Sequence, residues 1–208
     1  MRRAVISILC LAVLSGCLAH PRGTAAPYRR HVTPVALSMP ASAAPIAQQF
    51  MALTPEGKPG HPGIDIADTT GTPVIAAAQG RVTISEYEPI YGNRVVIEHG
   101  KDRSGRRVQT LYYHLDARIV AAGQTVRRGQ QIGTLGETGL LSSYPHLHFE
   151  YHRETAPGAR TQGGSNWWQG MTQEDPNLNW ADGTGRITCY RGQNAPGDRI
   201  TYPLACGG

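Results

Sequence analysis

Polar and apolar residues alternate with a period of two along much of the middle of the chain. The run "HLHFEYH" shows it strictly and "GRVTISEYE" in part, while "NRVVIEH", "RVQTLYYHL" and "PVIAAA" are denser apolar runs of the same short, β-rich kind. Each is bounded by turn residues, glycine above all, and each is too short and too β-rich to be a long helix, so the pattern predicts closely spaced β-strands. Strands in this succession point to a mainly β fold, with an antiparallel sheet arranged as a sandwich or open barrel.

The same alternation assigns side chains to faces. In "HLHFEYH", His146 and His148 project together while Leu147 and Phe149 point the other way. In "TLYYHL", strict alternation puts Thr110, Tyr112 and His114 on one face and Leu111, Tyr113 and Leu115 on an apolar one. His99 follows Val95 and Ile97 on their own face and is expected to be a structural imidazole with a satisfied hydrogen bond. In "HPGID", Pro62 and Gly63 argue against helix, and a bend at Gly63 would let His61 and Asp65 close on one ion. Two imidazoles facing one cavity suit a metal, a proton relay or both. Taken alone, the His-x-His pair also fits a surface strand, and Asp65 also fits a turn cap.

Outside residues 46–153 the alternation stops. Residues 17–45, rich in Ala, Pro and Ser, read as a flexible linker, and residues 154–208 as an irregular C-terminal extension. That extension holds Trp167, Trp168 and Trp180, expected to anchor a small hydrophobic cluster. At the start, Arg2 and Arg3 precede an apolar run from Ala4 to Leu14, the layout of a secretory signal. The run is shorter than the roughly 20 residues a membrane-spanning helix needs.

Leu14-Ser15-Gly16-Cys17 resembles a lipobox, which makes residues 1–16 a lipoprotein signal and Cys17 the acylated N-terminus; ordinary cleavage after Ala19 is the alternative. Loss of Arg2 and Arg3 with that signal lowers the formal charge from +5 to +3, too mild a balance to argue for nucleic acid. In the oxidising compartment that a signal implies, Cys189 and Cys206 are expected to pair.

Taken in order, H-x-x-x-D at His61 and Asp65, Y-x-H-L at Tyr112 to Leu115, and P-H-L-H-F-E at Pro145 to Glu150 resemble the LytM/lysostaphin-like zinc metallopeptidases. "GTPVIAAAQGRV", "YGNRVVIEHG" and "GQTVRRGQQIGTLGETG" look like the same family, so the resemblance covers residues 46–153. It implies that family's fold, with a central groove, and a peptidoglycan endopeptidase with one zinc ion. His61, Asp65 and His148 would be the metal ligands, with the unbound His114 and His146 assisting a metal-activated water. Asn93 and Tyr112 are candidate substrate contacts.

The implied bond is a D-alanyl to diaminopimelate cross-link. The implied location is the cell envelope, lipid-anchored at Cys17, on the outer membrane facing the periplasm, with a regulatory protein as a further partner. The chain departs from the family where Phe50 is followed by "MAL" instead of a glycine and arginine, and where "SSY" precedes Pro145. The rival function is that of relatives acting as non-hydrolytic regulators of cell-wall amidases. "GQTVRRGQQIGTLG" also resembles half of a biotinyl or lipoyl carrier, but no lysine stands in its turn.

Overall fold

The structure, a computed structural model, describes residues 21–29, 33–159 and 170–206. Cys17, Trp167 and Trp168 lie outside the described residues. The strands are β1 (Ile46–Gln48), β2 (Met51–Leu53), β3 (Pro59–His61), β4 (Ile64–Ala67), β5 (Pro73–Ile75), β6 (Gly80–Glu88) and β7 (Gly92–Lys101). They continue with β8 (Arg107–Arg118), β9 (Thr125–Val126), β10 (Gln131–Leu135), β11 (His146–Glu154) and β12 (Met171–Glu174), followed by a 3-10 turn at Pro176–Leu178. Among the described residues no helix is long and apolar enough to cross a membrane.

The expected antiparallel β fold is what forms. Its main sheet runs β1-β4-β11-β8-β7-β6-β9 and is open at both edges; β10 joins β5 and β8, and β12 pairs with β11. β2 and β3 make a separate small hairpin. Alternation on β11 divides the sheet's faces cleanly. Leu147, Phe149 and Tyr151 are fully buried in the main core with Ile64, Ile66, Tyr112 and Leu115, whereas His146, His148, Glu150 and His152 project from the opposite face. A smaller apolar group, Val96, Leu111 and Tyr113 with Ile84 and Tyr91 against it, backs that second face.

The terminal segments differ from the expectation. Instead of a free linker, residues 21–29 run beside β1, with Gly23 N–H donating to Ala43 O at 2.8 Å and Ala26 N–H to Ile46 O at 2.7 Å. Ala43 and Ala44 are fully buried. Beyond β11, Trp180, Ile187, Cys189, Ile200, Tyr202 and Leu204 all belong to the main core, so the cut at Arg153 does not separate an appendix from a domain. Each large side chain so buried contributes on the order of 1.5–3 kcal/mol. Cys189 and Cys206 are bridged, with Cα atoms 5.8 Å apart. Arg128, almost fully buried, donates to Ala77 O (2.5 Å), Ala195 O (3.1 Å), Pro196 O (3.0 Å) and Arg199 O (2.7 Å), pinning the extension to the sheet.

Candidate metal centre

β4, β11 and β8 lie side by side, and their register sets the site. His148 stands opposite Asp65 on one side and Tyr113 on the other, so two adjacent strands bring imidazole and carboxylate together without any loop rearrangement. His61 arrives from the end of β3 through the turn at Pro62 and Gly63. That turn needs glycine for space: a Cβ on residue 63 would sit 2.3 Å from Phe149 O.

Asp65 Oδ1 is 2.7 Å from His148 Nδ1 and 3.1 Å from His61 Nε2, and the two nitrogens are 3.1 Å apart. The far side of each ring fixes its tautomer. His61 Nδ1 lies 2.8 Å from Gln49 O and must be its N–H, leaving Nε2 as a lone pair. His148 Nε2 donates to Glu150 Oε1 at 3.0 Å, leaving Nδ1 as the inward atom. Three acceptors thus converge with no donor among them, an arrangement that requires a proton or a cation between them.

Burial works against charge on His148, but the carboxylates of Asp65 and Glu150 outweigh it and carry its pKa up to about 9. Burial likewise works against Asp65, yet the imidazoles of His148 and His61 against it hold its carboxyl well below the usual range. A divalent cation held here would take the place of that proton. Two imidazoles and one carboxylate are a donor set that zinc accepts, and the observed separations are close to the roughly 3.3 Å edge of a tetrahedron with about 2.0–2.1 Å bonds. The residues present therefore fit a zinc ion.

His114 and His146 flank the cluster, their ring centres 4.8 Å apart. His114 donates Nδ1–H to Thr138 O (2.8 Å) and His146 to Tyr144 O (2.7 Å), so both turn Nε2 toward the cleft. Burial depresses the pKa of both, that of His114 to about 4, which keeps them neutral near pH 7. Tyr144 stacks on His146 at 4.5 Å and stands at the rim. The cleft holds about 330 Å³ and is lined by Gln48, Gly60, Pro62, Tyr91 and Leu141 besides the four histidines and Asp65.

The face assignment on β8 needs correction. Asn93 pairs with Leu115 and Val95 with Tyr112, so two residues, Tyr113 and His114, bulge opposite Arg94. His114 takes a left-handed backbone, φ 61°, and joins Tyr113 on the cleft side. Tyr112 is fully buried instead, its hydroxyl accepting the Ala77 N–H at 2.8 Å and bonded to Thr110 at 2.9 Å, and it cannot touch substrate. Asn93 is occupied as well: its amide donates to Leu115 O (3.1 Å) and Asp116 O (3.0 Å) and accepts from Arg118, which ties the strand ends together. His99 is satisfied at both nitrogens, by Gln79 O (2.8 Å) and Thr110 (2.7 Å).

Four further residues belong to the site. Glu150 bridges His148 and His152, in hydrogen-bond contact with both. Their places were available in the period of two counted on from His146. Tyr91 and Gln49 were not, because each arrives on a neighbouring loop. Gln49 sits in a buried network: its Oε1 accepts from Asn177 (2.9 Å), Asn177 also donates to Tyr28 (2.8 Å), Tyr28 donates to Asp175 (2.5 Å), and Trp180 donates to Asn177 (3.0 Å). The terminal segments thereby hold the carbonyl that orients His61.

The sequence model described as Peptidase family M23 matches residues 59–159, the span that contains all five cleft histidines and acids named as candidates. Over 90 residues the chain is 43% identical to the peptidoglycan DD-endopeptidase ShyB of Vibrio cholerae, covering 43% of this chain and 20% of that protein. It is 47% identical over 90 residues to the DD-carboxypeptidase/endopeptidase Mpg of Neisseria meningitidis, covering 43% and 19%. The chain thus spans about a fifth of the length of these relatives. A zinc-containing peptidase from Vibrio cholerae aligns in structure over 51% of this chain and 32% of its own, at 38% identity and a TM-score of 0.44.

Proposed function

Starting from residues 59–159 being a domain of peptidase family M23, we propose that this protein is a zinc-dependent endopeptidase that hydrolyses peptide bonds in peptidoglycan, the D-alanyl to diaminopimelate cross-link in particular. The observation that carries the reading is the convergence of His61 Nε2, Asp65 Oδ1 and His148 Nδ1, with two neutral imidazoles beside them.

A zinc ion held by these three side chains supplies Lewis acidity and makes water more acidic. The chain's own groups do the rest. Glu150 and the Gln49 carbonyl fix the tautomers of His148 and His61, so that only lone pairs face inward. His114 and His146 present Nε2 to the cleft as neutral bases; one accepts a proton as water adds to the scissile carbonyl carbon, and a proton is then delivered to the nitrogen as the C–N bond breaks. The walls made by Tyr91, Leu141 and Pro62 limit water around the reacting amide.

The same proposal places the protein in the cell envelope, acylated at Cys17 and facing the periplasm. The test is incubation of the purified soluble form with cross-linked muropeptides, with the products resolved by mass spectrometry and the zinc content measured by plasma emission. Wild type is expected to carry about one zinc and to split the cross-link. Asp65→Ala is expected to lose both. A zinc-loaded wild type that leaves every muropeptide intact would turn the reading toward a non-hydrolytic regulator.

A further inference from the structure

β11 begins at His146, so this imidazole stands where the strand takes over from the loop 136–145 that leads out of β10. On that loop Leu140 and Leu141 are exposed, and their N–H groups hold it to Pro89 O and Ile90 O of the β6–β7 turn, at 3.0 Å each. A strand fixes where a histidine side chain starts but not how its ring turns, because rotation about Cβ–Cγ is broad and two-fold. A half-turn of the His146 ring would put a carbon where Nε2 now stands. The observed ring places Nε2 3.7 Å from Asp65 Oδ1 and donates Nδ1–H to Tyr144 O at 2.7 Å. That bond favours the observed orientation only modestly, since water competes for the same carbonyl.

Tyr144 supplies a second hold. Its ring lies on that of His146 with centres 4.5 Å apart and planes 26° from parallel, while the His114 ring stands 4.8 Å away and tilted by 48°. A flat ring at that distance has to move before the imidazole can turn. Tyr144 is itself stiff, because Pro145 follows it and the residue before a proline is confined to extended backbone. Ser142 Oγ also donates to its carbonyl, at 3.2 Å. One residue thus sets two properties of His146: its carbonyl selects the nitrogen that carries the proton, and its ring selects the direction in which the other nitrogen points. His114 is oriented by other means, its left-handed backbone and the Thr138 carbonyl.

We propose that Tyr144 is a positioning residue for His146, its ring keeping Nε2 of that imidazole turned into the cleft. This rests on the peptidase reading above and adds a residue to its machinery. The effect belongs to the flat ring, not to the hydroxyl or to bulk alone, and it reaches the reaction through His146 and not through the metal ligands. Tyr144 lies in the "SSY" at which the chain departs from the family it resembles, so the hold is a feature of this chain.

The test compares zinc-loaded wild type with Tyr144→Ala, Tyr144→Leu and Tyr144→Phe. Steady-state cleavage of a cross-linked muropeptide gives kcat and KM, and chelator competition and thermal melting give zinc affinity and stability. Nitrogen-15 spectra of the histidine rings, with the His146 signals identified by their loss in His146→Gln, give the tautomer. Tyr144→Ala leaves the residue 144 carbonyl in place, so it isolates the ring. It is expected to lower kcat about 10–100-fold with KM, zinc affinity and melting temperature little changed. Tyr144→Leu, which fills space without a flat ring, is expected to stay low, and Tyr144→Phe to recover most of the loss. The His146 ring is expected to be the Nδ1–H form alone in wild type and Tyr144→Phe, and a mixture of both tautomers in Tyr144→Ala.

A Tyr144→Ala variant that keeps wild-type kcat, or whose loss lies in KM or follows a loss of zinc, overturns the proposal. So does a Tyr144→Phe as slow as Tyr144→Ala, which would give the role to the hydroxyl, or a Tyr144→Leu as fast as Tyr144→Phe, which would give it to bulk. If wild type cleaves nothing, the peptidase reading fails and the ring spectra decide: mixed tautomers in Tyr144→Ala alone uphold the hold on His146, and one tautomer in every variant removes it.

Discussion

His114 is held in a backbone conformation that β-branched and bulky residues avoid and that Asn tolerates. This gives a way to separate its shape from its chemistry. Asn in place of His114 is expected to preserve the bulge and shift the melting temperature little, while lowering kcat on a muropeptide by about 10²–10⁴, the range a positioned acid-base group contributes. Glu150 offers a complementary case, since it touches no substrate-facing atom of the cluster and acts through His148. Glu150→Ala should weaken zinc binding about 10–100-fold in a chelator competition.

His99 sets a pH dependence of stability. Burial pushes its pKa down to about 4, below the ~6.5 of an exposed imidazole. On acidification the unfolded chain takes the proton first, so its contribution is whole above about pH 6.5, is lost progressively toward pH 4 and levels off below. The loss amounts to about 3 kcal/mol at most. Urea titrations at pH 7, 5.5 and 4 should show a steeper decline for wild type than for His99→Gln.

At the scale of elements, what could be read from sequence is what depends on nearest neighbours along a strand. β11 obeys the period of two from His146 to His152, so its two faces and the pairing of His146 with His148 were legible. β8 was not legible past Tyr113, because the bulge opposite Arg94 arises from its partner strand and exchanges the faces of His114 and Leu115. The docking of the termini was hidden for a similar reason. It relies on single bridges such as Ser38 with Arg186 and Val74 with Leu204, and on polar side chains far apart in sequence, none of which leaves a periodic trace.

That docking makes a prediction of its own. Removing the Asn177 side chain strips Gln49, Tyr28 and Trp180 of a buried partner. Asn177→Ala is expected to cost about 1–3 kcal/mol in denaturant titrations. It should also weaken zinc binding severalfold, because the Gln49 carbonyl no longer holds His61 in one orientation.

For the molecule as a whole, a metal bound at this cluster would be coupled to the fold, since a site assembled from β3, β4 and β11 exists only in the folded chain. Adding zinc at about 1,000 times its dissociation constant should stabilise the protein by about 4 kcal/mol, read as a rise in melting temperature that a chelator reverses.

Arg128 sits at the join between the sheet and the last thirty or so residues. Its four carbonyl partners lie on both sides of that join. For anyone wishing to move this cleft into another protein, the consequence is practical. A cassette cut to residues 59–159 would leave behind Tyr202, Trp180 and Leu204, three of the four carbonyls that cradle a buried guanidinium, and the braces that steer one ligand. A graft that keeps its shape must bring both flanks along.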